Sequence, residues 1–302
     1  MKGAKGSKMP RGDKDQIMRY EIPTLSSTEE SIGKFIVDIR DKITLLAQIN
    51  RNLEAMARQL YDYWFVQFDF PDENGRPYKS SGGKMVWNEK LKREIPDGWS
   101  ATNFEHVCQI NRGASPRPID EFMDETHQGM PWLKISDATS CDSPFIHVIK
   151  EHIIEQGIKK SVTVLPDTLI VSNSATPGIP KFMGIKACVH DGWLVLTKYS
   201  TELKYYLFFA IQDLRTMLIN TASGSVFKNL KTDYLKQAPL ISPPKPIIDA
   251  FHVRISSIMD TININTKGII DLQAKRDELL PLLMNGQVSV MQPELNCDLS
   301  RD

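Results

Sequence analysis

At 302 residues the chain exceeds one typical domain and has room for two hydrophobic cores, which excludes a peptide or a small disulfide-stapled scaffold. Its 41% hydrophobic, 25% charged and 8% aromatic residues lie in the globular range and outside the disordered and fibrous ones. Lys plus Arg (37) equals Asp plus Glu (37), so no net field draws the molecule to nucleic acid or to an anionic membrane, and any such binding must be local.

The first thirty residues lack an apolar core of signal-peptide length, and no apolar run in the chain nears the ~20 residues that cross a bilayer. Residues 1–24 end in a proline-bearing stretch that leads into a helix. From about Ser31 to Phe65 the positions Ile36, Ile39, Ile43, Leu46, Asn50, Leu53, Ala57, Leu60 and Trp64 recur at alternating gaps of three and four. That is the stripe of one helix face, and Ser26, Ser27 or Thr28 supplies a cap with acidic residues in the first turn. The spacing predicts a long helix over 25–68. Residues 69–94 are rich in Gly, Pro, Ser and charge and read as a connector with turns.

From 95 to 243 short apolar runs such as SVTVL, TLIVS and WLVLT are split by Gly, Pro, Asn and Asp, which is strand-and-turn punctuation. One run, residues 204–218, is long enough for an amphipathic or buried helix. The block reads as α+β with its own core. After SPPKP the three-four spacing returns as Ile248, Phe251, Ile255, Ile258, Ile262, Asn265, Ile269, Leu272, Arg276, Leu279 and Leu283. It predicts a second long helix over 244–286, stopped between Pro281 and Gly286, with a flexible tail over 287–302.

If Ile36 is heptad position a, Asn50 is also a; if Ile248 is a, Asn265 is d. Antiparallel pairing sets a against d, and facing Asn50 with Asn265 aligns Ile43 with Leu272, Leu46 with Ile269, Leu53 with Ile262 and Leu60 with Ile255. The exception in these layers is Ile39 against Arg276, near an end where a long stem carries charge to water. A buried amide pair costs stability but penalises slipped registers, because each slip strands both amides in an apolar seam. The expectation is an antiparallel two-helix coiled coil of fixed register; the alternative is that both stripes face a common globular core. Residues 6–50 also echo 224–266: Gly-Ser opens both, Asp15 matches Asp233 and Ile17 matches Leu235 before a proline-bearing stretch and the helix. The repeat implies a duplicated unit, with 1–24 the remnant tail of a preceding block.

These words and their order resemble the specificity subunit of type I restriction-modification systems. The matching text is INRNLEAMARQLYDYWFVQFDF at 49–70, EIPDGW at 94–99, PWLKISD at 131–137, ASGS at 222–225 and KRDELLPLLMNGQV at 275–288. The resemblance implies a non-catalytic subunit in which 95–243 is one target-recognition domain reading half of a bipartite double-stranded DNA site. The two helices are then the spacer on which methyltransferase subunits dock and through which the complex reaches its restriction subunit. The family pattern has two recognition domains, so the second head is expected from another copy of this chain or another specificity chain. Two other readings stay open: a helical interaction scaffold that binds no DNA, and a truncated recognition cassette used for recombination.

Sequence is read at base edges, while phosphate contacts set position and much of the affinity. Residues 143–245 carry twelve basic against seven acidic side chains, an excess of five, whereas 120–125 carries four acids. Three loops gather small polar and basic groups suited to grooves, at 111–117, 172–178 and 222–231. Arg112 and Arg117 suit guanine, Asn111, Asn173 and Asn229 suit adenine, and Ser115, Ser174, Thr176, Ser223, Ser225, Lys228 and Lys231 are further DNA-contact candidates. Glycine and serine in these loops let backbone approach phosphate; the same residues also make ordinary turns. In PWLKISD, Trp132 reads as core, while Lys134, Ser136 and Asp137 either face DNA or end a strand. Methyltransferase docking is expected on the outer helix faces and on Tyr61, Tyr63, Phe65 and Phe68, unless that aromatic cluster packs the rod end against the recognition domain.

Catalytic signatures are not found. Ser242-Pro243-Pro244-Lys245 has lysine where an amino-methyltransferase motif needs a stacking ring. There is no phosphate-binding GxxxxGK[ST], no GxGxxG after a strand and no HExxH, and Ser172, Ser174 and Ser225 lack a nucleophile elbow. The expectation is no catalysis, no metal and no cofactor on this chain. The cysteines at 108, 141, 188 and 297 form no CxxC pair, which fits reduced thiols and a cytoplasmic location rather than a disulfide framework.

Overall fold

A computed structural model of the chain describes residues 4–5, 11–12, 14–20, 29–222 and 230–290, with side chains over 14–20, 30–215 and 230–290. The chain opens with β1 (Ala4–Lys5), β2 (Arg11–Gly12), the single turn α1 (Lys14–Ile17) and the first long helix, α2 (Glu29–Tyr61), which widens into a π turn at Asp62–Val66. Next come β3 (Met85–Asn88), β4 (Arg93–Pro96), β5 (Ser100–Asn103), β6 (Gln109–Arg112), β7 (Met130–Leu133), α3 (Ile135–Thr139), β8 (Phe145–Ile146), β9 (His152–Ile153) and α4 (Glu155–Ile158). The remainder is β10 (Val162–Val164), β11 (Leu169–Ser172), β12 (Pro180–Met183), β13 (Ala187–Val189), β14 (Trp193–Thr197), α5 (Lys204–Ala222), α6 (Thr232–Gln237), β15 (Pro239–Ser242) and the second long helix, α7 (Lys245–Met284). No helix of the described residues is long and apolar enough to cross a membrane.

Two compact units divide the chain, residues 1–45 with 270–302 and residues 46–269. In the first, β1 and β2 pair antiparallel, Ile32 and Ile39 are buried on α2, and Leu283 is buried on α7. Arg276 is half-buried and its guanidinium pairs with Asp277 at 2.7 Å, so the charge at that seam position is met locally. Pro281 lies inside the last turn of α7; the stop comes from Gly286, whose φ of 66° lets the Gln287 amide donate back to the Leu282 carbonyl at 2.9 Å. The capping candidates Ser26, Ser27 and Thr28 lie outside the described residues.

The second unit holds the strand-rich central block and the remaining turns of both long helices. Asn265 Nδ2 donates to Asn50 Oδ1 at 3.0 Å. Fourteen residues onward along α2 and fourteen back along α7, Trp64 meets Phe251 with ring centroids 5.8 Å apart, so the helices run antiparallel here in one register. Ile255 and Ile262 are fully buried, and Leu53 and Leu60 pack on the same cluster. Ile258 is only half-buried; Met259 and Thr266 are buried with Ile255 and Ile262, because this part of α7 packs on the central block as well as on α2. Ser143 exchanges a hydroxyl hydrogen bond with Thr266 at 2.9 Å, and His147 bonds Asn263 at 2.7 Å.

Five strands in the order β6-β14-β11-β12-β8 form one sheet, and β10-β13-β7-β9 form another. All neighbours are antiparallel except β12 with β8 and β13 with β7. Leu133, Ile146, Val164, Ile170, Val189 and Trp193 form one apolar cluster drawn from both sheets. The run at 204–218 becomes α5, whose residues Tyr205 to Ile211 are buried. β15 pairs with β5 and so fastens the end of the block, just before α7, to its beginning.

The aromatic segment after α2 forms part of the core, not a docking surface. Tyr61, Phe65 and Phe68 are buried, Phe65 lies 4.9 Å from Phe251 and 4.8 Å from Tyr206, and Phe68 meets Trp99 edge-on at 5.6 Å. Of the four expected to dock a partner only Tyr63 is exposed, since the π turn rotates its neighbours inward. The connector is also packed: β3 and β4 form a hairpin, and Phe70, Tyr78, Met85, Val86 and Leu91 join the main core.

Candidate functional site

The register of the five-stranded sheet brings three chain segments to one end of it. Leu194, near the start of β14, pairs with Arg112 at the end of β6 on one side, while Val171 and Ser172 at the end of β11 pair with Leu194 and Trp193 on the other. The turn between β13 and β14, His190-Asp191-Gly192, crosses from one sheet to the other at this point. Close approach requires small residues: a Cβ on Gly113 would stand 2.2 Å from the His190 carbonyl oxygen, and one on Gly192 would stand 2.6 Å from the Ser174 hydroxyl. Gly113 therefore admits a protein turn, where its sequence context suggested a phosphate.

Asp191 is the hub. Its carbonyl accepts from Arg112 Nε at 2.6 Å and from Asn173 Nδ2 at 3.2 Å. Its carboxylate accepts from the Ser115 hydroxyl at 2.7 Å and faces the guanidinium groups of Arg112 at 3.5 Å and Arg117 at 3.7 Å. Partial burial pushes its carboxyl up, but the Ser115 hydroxyl and the charges of Arg112, His190 and Arg117 outweigh that and hold it below the ordinary range. Burial lowers the His190 imidazole, whose ring packs on Trp132 at 5.8 Å. Four of the candidate residues thus meet at an aspartate whose local text, between His and Gly, reads only as a turn.

The candidates separate into exposed and interior groups. Asn111, Arg112 and Arg117 are exposed, with Asn111 on the edge strand β6, and Ser115 is half-buried beneath them. Lys231 is exposed at the start of α6, and the neighbouring Leu230 amide donates to the Asn173 carbonyl at 2.6 Å. Asn173 is buried, with its amide spent on the Asp191 carbonyl, and the Thr176 hydroxyl is turned inside; neither is offered to a base edge. Ser174 is half-buried against Gly192. In the 131–137 segment Trp132 is core, Asp137 is buried and accepts from the Lys134 amide at 3.1 Å, and Lys134 is paired with Glu151. Ser136 alone in that trio is exposed. Ser223, Ser225, Lys228 and Asn229 lie outside the described residues.

A second polar groove runs beside β6, lined by Glu105, His106, Gln109, Asn111, Lys198 and Lys236. Sequence reading missed Lys198 and Lys236, which stand far from the three loops in the chain and reach the groove only through the pairing of β14 with β6 and the packing of α6 on β6. Asn111 in this groove and Arg112 in the Asp191 cluster are adjacent on β6, so the two lie along one edge strand.

Flanking the helix seam, Ile49, Met56 and Tyr63 are exposed at intervals of seven residues, and Met56, Leu60 and Tyr63 line a groove with Ile258 of α7.

Residues 96–275 match the family model for the type I restriction modification DNA specificity domain. The chain is 23% identical over 293 residues to the type I restriction enzyme MjaIX specificity subunit of Methanocaldococcus jannaschii, covering 94% of this chain and 64% of that one. It is 24% identical over 313 residues to the HindI specificity subunit of Haemophilus influenzae, covering 86% and 67%. In fold it is similar to the crystal structure of a type I restriction-modification S subunit from M. genitalium, with a TM-score of 0.58 at 13% identity over 96% of this chain and 68% of that one. The chain spans 64% of the length of the M. jannaschii relative. Because the family match covers more than half of the chain, and the strand order and paired helices accompany it, this protein belongs to the type I restriction modification DNA specificity family.

Proposed function

We propose that the chain is the DNA-reading specificity subunit of a type I restriction-modification complex, without catalytic chemistry or a cofactor of its own. The recognition block at 95–243 reads one half of a bipartite double-stranded site, and the second half is read by another copy of the chain or another specificity chain. The observation that carries this is the convergence of the 111–117 and 172–178 loops on Asp191, with Arg112 and Arg117 exposed at the end of the sheet. Arginine forks on a rigid turn suit guanine edges, and the Lys198 and Lys236 groove suits the flanking phosphates.

Methyltransferase subunits are the expected partners of the exposed flank of α2, with the restriction subunit joining through the complex. The groove of Met56, Leu60, Tyr63 and Ile258 beside the exposed Ile49 supports that side, since an apolar groove on a helix pair is a place a partner can cover. The deciding experiment compares methylated motifs in host DNA with and without the gene. A two-part motif that disappears with the gene supports the reading, and symmetry in that motif means two identical heads. Unchanged methylation, together with duplex binding indifferent to sequence and salt, removes it in favour of an interaction scaffold.

A further inference from the structure

We infer that Asp191 is a positioning residue for base readout: it aims the guanidinium groups of Arg112 and Arg117, and this aim, beyond their charge, decides which base pair they accept. The inference rests on the DNA-reading function proposed above.

The geometry divides the work between the two ends of the residue. Its carbonyl takes the Arg112 Nε hydrogen at 2.6 Å and its carboxylate takes a long bond from Arg112 Nη2 at 3.5 Å, which fixes the plane of that guanidinium and leaves the Nη1 amino group for a guanine acceptor. Its carboxylate has one oxygen occupied by the Ser115 hydroxyl at 2.7 Å, so the other faces Arg112 and Arg117. At 3.5 and 3.7 Å these ion pairs are longer than a bidentate arginine-carboxylate bond, and the side chains are largely exposed. The carboxylate thus orients both cations through long contacts, of which the Arg112 Nη2 bond at 3.5 Å is weak enough to yield to a base edge. One negative charge between two positive ones leaves the site net attractive to a duplex while opposing capture of either arginine by the nearest phosphate.

The turn itself is held from below. Asn173 donates to the Asp191 carbonyl at 3.2 Å, the Asn173 amide donates to the Gly192 carbonyl at 2.8 Å, and the Gly113 amide donates to the Trp193 carbonyl at 2.8 Å. The aspartate sits on strand ends that both sheets pin, which is what a fixed aim requires.

The test is selection from a pool of randomised duplexes by the full chain, alone and with the methyltransferase subunits of its system, read as sequence preference and as salt dependence. Asp191→Asn keeps the carbonyl and the shape but removes the charge. The expected result is a preference weakened roughly tenfold at one or two base pairs, with equal or tighter binding to the unselected pool and a salt dependence no shallower than the parent's. Ser115→Ala, which frees the carboxylate oxygen, should blur the same base pairs to a smaller degree, and it decides the matter if Asp191→Asn does not fold. An unchanged preference in the folded variants overturns the positioning role. Arg112→Ala and Arg117→Ala separate the two ideas. If the parent selects a motif that neither arginine variant alters, the positioning role falls while DNA reading stands; if the parent selects no motif, DNA reading itself falls.

Discussion

Asn265 gives an amide hydrogen to Asn50 across the helix seam at 3.0 Å, and Asn50 in turn donates to the Thr266 hydroxyl at 3.3 Å. On one side the asparagines are followed by the core groups Leu53, Ala57 and Ile262 and on the other by the half-buried Leu46 and Ile269, so a register shift would leave the amides without partners. Asn50→Leu alone strands the Asn265 amide and should cost about 1–3 kcal/mol in urea unfolding. The double change Asn50→Leu with Asn265→Leu should recover most of that loss while loosening the register. A disulfide trap between position 46 and position 268, which are neighbours in this register, should close efficiently in the parent and less selectively in the double variant.

The long helices are legible in the sequence because the three-four period is a local signal, and the opposition of Asn50 and Asn265 follows from counting heptads. Asp191 is not legible. Its importance comes from β13 and β14 lying in different sheets, a non-local fact, and between His190 and Gly192 an aspartate looks like any turn former. Asn173 is misleading for the opposite reason: asparagine among Ser, Thr, Pro and Gly suggests a solvated loop, yet its position one residue past β11 points it under the Asp191 turn. The aromatic run from Tyr61 to Phe68 has too many large groups for one seam. Nothing local says that α5 and Phe251 will cover them.

Asn111 and Asn173 are the same residue type in two equally polar loops and should behave oppositely. Asn173→Ala removes a buried bond to the Asp191 carbonyl and should cost about 1–3 kcal/mol of stability. Asn111→Ala, on an exposed edge strand, should leave the unfolding midpoint within error and weaken duplex binding. Parallel denaturation and binding titrations of the two variants check this, and a matched loss of stability in both contradicts the burial difference.

Asp124 gives the molecule a defined acid response. The Thr126 hydroxyl and the amides of Thr126, Gly129 and Gln128 all donate to its carboxylate and hold it down at about 2. The folded-state value lies below the ordinary 3.8, so the unfolded chain takes the proton first as pH falls. The stabilisation is complete above the ordinary value and is lost as pH drops toward about 2. Asp124→Ala should lower the urea midpoint at neutral pH, and the gap from the parent should narrow steadily below pH ~4. A gap that stays constant down to pH ~2 contradicts the assignment.

Lys198 and Lys236 flank Asn111 in the groove beside β6, which Glu105 also lines, and Lys236 forms a loose ion pair with Asp233 at 3.9 Å. If duplex phosphates run along this edge, each lysine displaces about one counterion. Lys198→Ala and Lys236→Ala should each reduce the slope of log affinity against log salt by about 1. The base preference should stay the same, unlike the effect of changing Arg112. An altered preference with an unchanged slope would move these lysines from phosphate to base contact.

Tyr63 points outward from a π turn whose neighbours Trp64 and Phe65 are both buried, and it continues the line of Ile49 and Met56 along α2. A buried charge at such a surface is costly only when a partner covers it. Met56→Asp and Tyr63→Asp should therefore leave the thermal midpoint of the free chain near that of the parent and reduce capture of the methyltransferase subunits at least tenfold in a pull-down or titration. Val253→Asp, which alters the 73% exposed Val253 on α7, serves as the control because it introduces the same charge away from the stripe. Loss of capture with Met56→Asp and Tyr63→Asp but not with Val253→Asp assigns docking to the Ile49, Met56 and Tyr63 stripe of α2; equal capture by all three variants moves the docking surface elsewhere on the molecule.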